Sequence, residues 1–552
     1  MTKKPVNIAA YLPDMAQSQP HTPAIIAPYG RSPAGRVLYE HYTYKQLNDK
    51  SNLIAAGLEK VGITRGVRTV LMVKPSLDFF ALTFALFKIG AVPVVVDPGL
   101  GIQSLKTCLG RAEPEAFIGI PPAHAARVIL RWSKKTIKTC VTVGRRWFWG
   151  GHTLKQVEAL GAAQTAYDMA ETKGDEIAAI LFTSGSTGPP KGVVYRHENF
   201  AAQVEMIREL FGITPGEIDL PTFPLFALFD PALGMTTIVP DMDPTKPAQV
   251  DPAKIIEAIE DFGVNTMFGS PALLNTVGRY GEKHGIQLPT LKRVIAAGAP
   301  LPAHVMKRFH TMLGDDGIIY PPYGATESLP VAVLGSHEIL QDTWPQTEQG
   351  AGVCVGRPVP IVEVKVIGIT DDGIPTWDES LCLSQGEVGE IVVKGPVVTQ
   401  SYFNDGGNTG LAKIDDSGTL RHRMGDLGYF DKEGRLWFCG RKSHRVKLGE
   451  QTLFTIPCEG IFNAHPDVYR TALVGVGQGD TRKPVLCVEL EKSSTHANQA
   501  ELMQALQTLA GQHAHTSEID TFLFHPSFPV DIRHNAKIGR EKLSIWATEQ
   551  LS

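Results

Sequence analysis

The stretch TSGSTGPPKG, Thr183 to Gly192, decides how the rest of the chain is read. It follows the apolar run IAAILF, Ile177 to Phe182, which predicts a buried strand. Gly185, Gly188 and Gly192 let the backbone turn tightly and bring N–H groups against an anion. Thr183, Ser184, Ser186 and Thr187 add hydroxyl donors, and Lys191 adds a mobile positive charge. This is the composition of a phosphate cradle. It is not a Walker A loop: counted from Gly185, that pattern needs glycine at 190 and a hydroxyl after the lysine, and the chain has Pro190 and Gly192 there. Taken alone, the same residues also make an ordinary surface turn.

Length and composition bound what surrounds the loop. A chain of 552 residues implies roughly three to four domain-sized units. Hydrophobic residues at 43% and charged residues at 20% fit a globular protein, and a net charge of −4 speaks against a nucleic-acid partner. The seven cysteines are scattered with no CxxC pair, which argues for a reducing compartment and against a structural zinc site. The N-terminal apolar run is too short for a signal peptide, and Phe79 to Val96 is broken by Lys88, Gly90 and Pro93, so no transmembrane segment is expected. These readings point to the cytoplasm.

Apolar strands alternating with helices predict an α/β sheet, which binds ligands at the carboxyl ends of its strands. VRTVLMV (67 to 73) and KIGAVPVVVDPGLG are strands in this reading, and His197 to Phe211 is a helix. LKRVIAAGAPLP ends a strand in Gly298-Ala299-Pro300, where a flat ring could lie against backbone. GIIYPPYGATES is read as one strand carrying Tyr323, Gly324, Thr326 and Glu327 at its tip. A tyrosine can stack on a base, a threonine can donate to phosphate and a glutamate can hold magnesium. Phe226 and Phe229, in FPLFALFDPALG, either line an acyl pocket or fill core.

From about residue 352 short strands and tight turns predict a β-rich subdomain, with Asp426 in MGD and Arg441 in GRKSHRVK. A carboxylate after a glycine can accept both hydroxyls of a ribose, or simply make a turn. The last unit has strands TALVGVGQGD and PVLCVELEKS, a helix from Gln499 to Gly511, and Lys537 in a polar turn ahead of a final helix. No histidine spacing predicts a metal site. Residues 131 to 150, RWSKKTIKTCVTVGRRWFWG, combine basic and aromatic side chains. They read either as a patch for an anionic surface or partner protein, or as a solvated strand and loop.

Taken in order, TSGSTGPPKG, AAGAP, YGATE, GD, GR and a lysine near the C-terminus resemble the acyl-adenylate-forming, AMP-binding superfamily of acyl- and aryl-CoA synthetases, luciferases and peptide-synthetase adenylation domains. The resemblance covers nearly the whole chain. It implies a large N-terminal domain of two α/β lobes plus a β-rich subdomain (residues 1–440, the subdomain at about 352–440), a hinge at 441–445 with Ser443, and a small mobile α+β lid at 446–552 carrying Lys537. By the same resemblance, ATP and Mg²⁺ are the cofactors. Thr183, Ser184, Gly185, Ser186, Thr187, Gly188 and Lys191 would hold the β- and γ-phosphates, and Gly298, Ala299, Pro300, Tyr323 and Gly324 the adenine. Thr326 would contact the α-phosphate, Glu327 the magnesium, Asp426 and Arg441 the ribose, while Lys537 would bridge the attacking carboxylate and the α-phosphate.

Within that superfamily, FPLFALFDPALG, YPPYGATESLP, GRKSHRV and PVDIRHNAKIGREKL are similar to the olefin-biosynthesis β-lactone synthetases. Two positions depart from the CoA-ligase pattern: Ala227 stands where many have the histidine of PLFH, and Ser443 where the hinge is commonly Asp or Lys. The resemblance implies activation of a long-chain 2-alkyl-3-hydroxy acid by ATP, then attack by its own 3-hydroxyl, with His444 and His534 as candidate bases. It leaves room for assembly with other enzymes of the same pathway. The alternative is a long-chain acyl-CoA ligase.

Overall fold

A computed structural model of the chain describes residues 6–164, 166–182, 190–477, 482–491, 499–530 and 537–552. The phosphate-loop candidates Thr183 to Gly188, and His534, lie outside the described residues.

Two seven-stranded sheets form the body of the large N-terminal part. The first runs, from one edge to the other, His152–Thr153, Thr139–Thr142, Ala116–Gly119, Arg68–Met72, Val92–Val95, Ile177–Phe182 and Gly192–Arg196. It is parallel except for its last pair, where Phe182 lies opposite Gly192. The second runs Ile318–Tyr320, Arg293–Ala296, Thr266–Gly269, Ile218–Pro221, Thr236–Ile238, Pro23–Arg31 and Val37–Thr43, and only its last pair is antiparallel. Strands such as Ala116–Gly119 and Thr266–Gly269 are buried at every residue, as parallel strands covered on both faces must be.

The apolar helix Leu77–Ile89 packs between the sheets. It starts at the Ser76 cap and stops at Gly90, whose φ of 74° is the left-handed turn that glycine takes without strain. Its Phe80 and Phe84 share one core with Ile25 of the second sheet and Ile118 of the first. The amphipathic helix Tyr44–Lys60 covers this core from outside, started by a capping box between Thr43 and Gln46.

An eight-stranded antiparallel sheet follows, in the order Tyr323–Ala325, Ser328–Val333, Val353–Pro358, Leu436–Arg441, Thr419–Phe430, Gly389–Lys394 and Glu363–Ile367, with Lys413–Asp416 beside Thr419–Phe430. The single strand expected across GIIYPPYGATES is therefore two: Ile318–Tyr320 ends the parallel sheet, and Tyr323–Ala325 opens the antiparallel one. Pro321 and Pro322 lie between them, and without N–H groups they cannot continue a ladder.

The small C-terminal part has the hairpin Val446–Leu448 and Gln451–Leu453, a sheet of Val468–Val476, Lys483–Leu490 and Thr521–Phe524, and helices Thr455–Asn463, Gln499–Gly511 and Arg540–Leu551. Among the described residues no helix is long and apolar enough to cross a membrane.

Candidate active site

One cavity of about 1930 Å³ opens where the two parallel sheets, the antiparallel sheet and the C-terminal part meet. Lys191, Gly298, Ala299, Pro300, Tyr323, Gly324, Thr326 and Glu327 line it. So do Asp426, Arg441, Ser443, Lys537, Phe226 and Phe229.

Asp426 and Arg441 face each other across adjacent strands, with the guanidinium 3.0 Å from the carboxylate. Tyr323 donates its hydroxyl to Asp426 Oδ2 at 2.7 Å. Asp426 Oδ1 is buried and makes no aligned hydrogen bond among the described residues. That oxygen faces the Arg441 guanidinium at 3.0 Å, and with two lone pairs it can also accept from a sugar hydroxyl. Burial pushes the Asp426 carboxyl up, opposed by Arg441. Behind this pair, Gly298 takes φ 100°, a conformation that side chains disfavour, and leaves backbone open to the cavity at the end of strand Arg293–Ala296.

Among the described residues, the Glu327 carboxylate is anchored at one oxygen. Tyr402 donates its hydroxyl to Glu327 Oε1 at 2.7 Å, and the Tyr402 ring lies 5.0 Å from the Lys191 ammonium. Tyr402 is placed there by pairing of its segment with the strand that leaves the loop: Phe403 N–H donates to Gly192 O at 2.7 Å, and Val194 N–H to Ser401 O at 3.1 Å. The Thr326 carbonyl accepts from Tyr195 at 2.6 Å, which fixes the backbone beside Glu327. Lys413 is buried beneath, donating to the Thr399 carbonyl, and Thr399 N–H in turn donates to Glu327 O. Burial lowers Lys413 to about 7. A carboxylate with one oxygen anchored and the cavity before it suits a divalent cation. Among the described residues no group of three or more His, Cys, Asp or Glu gathers elsewhere to hold a metal.

Sequence reading missed Tyr402 and Lys413. TQSYFND carries no spacing signal, and Lys413 sits within LAKIDD, which looks like an exposed polar strand. Their roles come from long-range pairing alone.

The segment after Arg441 is tied at both ends. Lys442 Nζ lies 3.1 Å from Glu390 and donates to Thr370 O at 2.8 Å, while Arg445 pairs with Asp371 at 2.5 Å. Ser443 sits between them in the turn Lys442–His444. His444 is 3.4 Å from Glu541 of the last helix, and burial, with Arg540 nearby, lowers its imidazole to about 4. It is therefore neutral near pH 7.

The apolar end of the cavity holds Phe226 and Phe229. Phe226 stacks on Phe268 with centroids 4.0 Å apart. Beside them are two buried carboxyl groups, Asp219 and Asp230, hydrogen-bonded to each other. Thr237 donates to Asp230 at 2.7 Å. Burial raises both groups, Asp230 to about 7, and the mutual repulsion of two carboxylates adds to the rise in Asp219. The folded chain then binds more protons than the unfolded chain between about pH 4 and about pH 7, so stability falls as pH rises through that window. Melting temperatures measured across it should decline in the wild type and less steeply in Asp219→Asn, where only the buried Asp230 still titrates; parallel profiles would refute the raised Asp219 carboxyl.

Comparison with known proteins follows this geometry. Residues 12–403 match the family described as AMP-binding enzyme. The chain is 52% identical over 550 residues to an olefin beta-lactone synthetase of Xanthomonas campestris pv. campestris, covering 99% of this chain and 98% of that protein. It is 51% identical to an olefin beta-lactone synthetase of Stenotrophomonas maltophilia, covering 99% of each. ATP-bound MatB from Rhodopseudomonas palustris superposes with a TM-score of 0.78 at 21% identity, covering 99% of this chain and 100% of that one. At that identity the likeness speaks for the fold.

Proposed function

The chain belongs to the AMP-binding enzyme family, and from that premise we propose that it makes a β-lactone from a long-chain 2-alkyl-3-hydroxy fatty acid. In the first step the carboxylate attacks the α-phosphorus of ATP, forming acyl-adenylate and releasing pyrophosphate. In the second the substrate's 3-hydroxyl oxygen attacks the acyl carbon, the C–O bond to AMP breaks, the hydroxyl proton leaves, and AMP departs. The observation that carries this reading is near-full-length identity above half with two proteins named olefin beta-lactone synthetase.

The first step brings two anions together, so positioning and neutralisation supply most of the acceleration. We assign residues 183–188 and Lys191 to the β- and γ-phosphates, and Thr326 and Lys537 to the α-phosphate. The 298–300 turn, with Tyr323 and Gly324, is assigned to adenine, and Asp426 and Arg441 to the ribose. A magnesium ion at Glu327 would neutralise phosphate charge. Phe226 and Phe229 would contact the alkyl chains. The segment 441–445 would act as hinge for the 446–552 lid, and we infer a cytoplasmic location. The second step needs no second substrate site, because a tethered hydroxyl beside the carbonyl already has a high effective concentration. Ala227, where many CoA ligases have histidine, agrees with a reaction that dispenses with CoA.

Mass spectrometry of the product from ATP and a 2-alkyl-3-hydroxy fatty acid, with and without CoA, tests the proposal. A β-lactone with stoichiometric AMP in the absence of CoA is expected. A thioester formed only when CoA is present would make the protein a long-chain acyl-CoA ligase instead.

A further inference from the structure

Between Glu115 and Glu158 the chain has no acidic residue but eight basic ones, in a protein whose net charge is −4. Arg131, Lys134, Lys135, Lys138, Arg145 and Arg146 are all exposed. Large apolar side chains are exposed in the same stretch: Ile129 and Phe148 at 73%, Trp147 at 55% and Val128 at 37%. Scattered single exposed apolar residues mean little, but ring contacts tie Trp147 and Phe148 to the helix that carries Val128 and Ile129. Trp149 stacks on His124 with centroids 5.4 Å apart, and Trp147 and Phe148 each lie 5.4 Å from Trp149. His124 is one turn before Val128 on helix Pro121–Ile129.

The patch is built to be presented. Trp149 is its root, donating its indole N–H to Thr142 Oγ1 at 2.9 Å, while Gly150 and Gly151, at φ 74° and 76°, turn the chain back. A Cβ on Gly151 would come within 2.4 Å of the Cys140 carbonyl, so this turn requires glycine. Trp147 and Phe148 are thereby turned outward. The same helix also reaches the cavity: Ala123 lines it, as does Trp132, which is only 4% exposed. Arg131 and Ser133, on either side of Trp132, have φ of 55° and 42°, an unfavourable conformation for side-chain-bearing residues. It accompanies Trp132 pointing in while Arg131 points out.

We propose that this face docks on an anionic phospholipid surface, with Trp147, Phe148, Val128 and Ile129 in the headgroup layer and the basic side chains against lipid phosphates. Tryptophan favours that layer because one end of its ring system is apolar and the other donates a hydrogen bond. Basic residues beside an anionic leaflet each raise binding roughly fivefold, and here no carboxylate within the 42-residue stretch from 116 to 157 opposes them. A nucleic-acid partner would not call for four exposed apolar side chains, and a protein partner would not call for so uniform a positive sign. Docked this way, the helix that lines the cavity lies against the phase into which a long-chain acid partitions.

The test is co-sedimentation of the full-length protein with vesicles of phosphatidylcholine alone and of an equimolar mixture with phosphatidylglycerol. Binding to the mixed vesicles, lost at high salt, is expected. The Trp147→Ala/Phe148→Ala and Arg145→Glu/Arg146→Glu double variants should each weaken it by roughly tenfold or more, with circular dichroism and AMP release from a soluble short-chain acid unchanged. Trp149 is left in place because it anchors the loop. Equal binding to neutral vesicles, variants that bind like wild type, or a wild-type protein that sediments with neither vesicle would each overturn the proposal.

Discussion

Alanine in place of Lys537 is expected to slow acyl-adenylate formation by roughly 10²–10³-fold, the cost of losing one aimed charge from a closed site, while ATP binding stays near wild type. Lys537 occupies a bend just ahead of helix Arg540–Leu551 and lines the cavity with Glu327, Asp426 and Arg441. The bend is held by backbone: Gly539 N–H donates to Pro529 O at 2.7 Å, and Val530 bridges to Ile538. Arg540 anchors the start of the helix through Glu459, at 2.8 Å in a buried pair. The substitution therefore removes charge without releasing the turn that carries it. Pyrophosphate exchange reads the first step, and calorimetric ATP binding reads the rest; exchange at the wild-type rate would remove Lys537 from the reaction.

The second large effect concerns stability. Arg423 and Glu390 form an ion pair at 2.6 Å with side chains 2% and 1% exposed. Arg423 also donates to the carbonyls of Thr370, Asp372 and Leu411, so its charge is satisfied on every side. Arg423→Met strips Glu390 of its main partner and leaves it, among the described residues, Lys442 as its ion-pair partner. Removing one member of a buried pair typically costs about 3–5 kcal/mol, because the remaining charge stays buried. Thermal and denaturant unfolding should show a loss of that size, and adding Glu390→Gln should restore part of it, since the stranded charge is then gone. A single variant within about 1 kcal/mol of wild type would mean that Lys442 alone neutralises Glu390.

Much of the scaffold was legible in the chain because periodicity and punctuation agreed. The helix His197–Phe211 and the helix Gln499–Gly511 stand where their patterns begin and end, and Phe79 to Val96 divides into helix and strand at Gly90. The division of GIIYPPYGATES between two sheets was not legible. Its hydrophobic pattern is continuous, and only the two prolines mark the break. Of the cavity, the polar residues in ordered motifs could be read: Lys191, Gly298, Tyr323, Glu327, Asp426, Arg441 and Lys537 all line it. The side chains that hold them could not. Tyr402 reaches Glu327 across 75 positions of sequence, and Asp219 meets Asp230 only because the chain folds back inside an apolar pocket. A buried carboxyl beside phenylalanines looks, in sequence, like any turn aspartate.

The two ties on either side of Ser443 differ in how they meet water. Lys442 grips a carboxylate that is 1% exposed, whereas Arg445 grips Asp371, whose side chain is 64% exposed. Mobile ions screen exposed charge pairs over about 8 Å at physiological ionic strength and barely reach buried ones. Added salt therefore loosens the segment from its C-terminal end while its N-terminal end stays fastened. If the lid turns about this segment, ionic strength becomes a throttle on the turning alone: steps separated by a lid rotation would quicken with salt, and steps within one lid position would not.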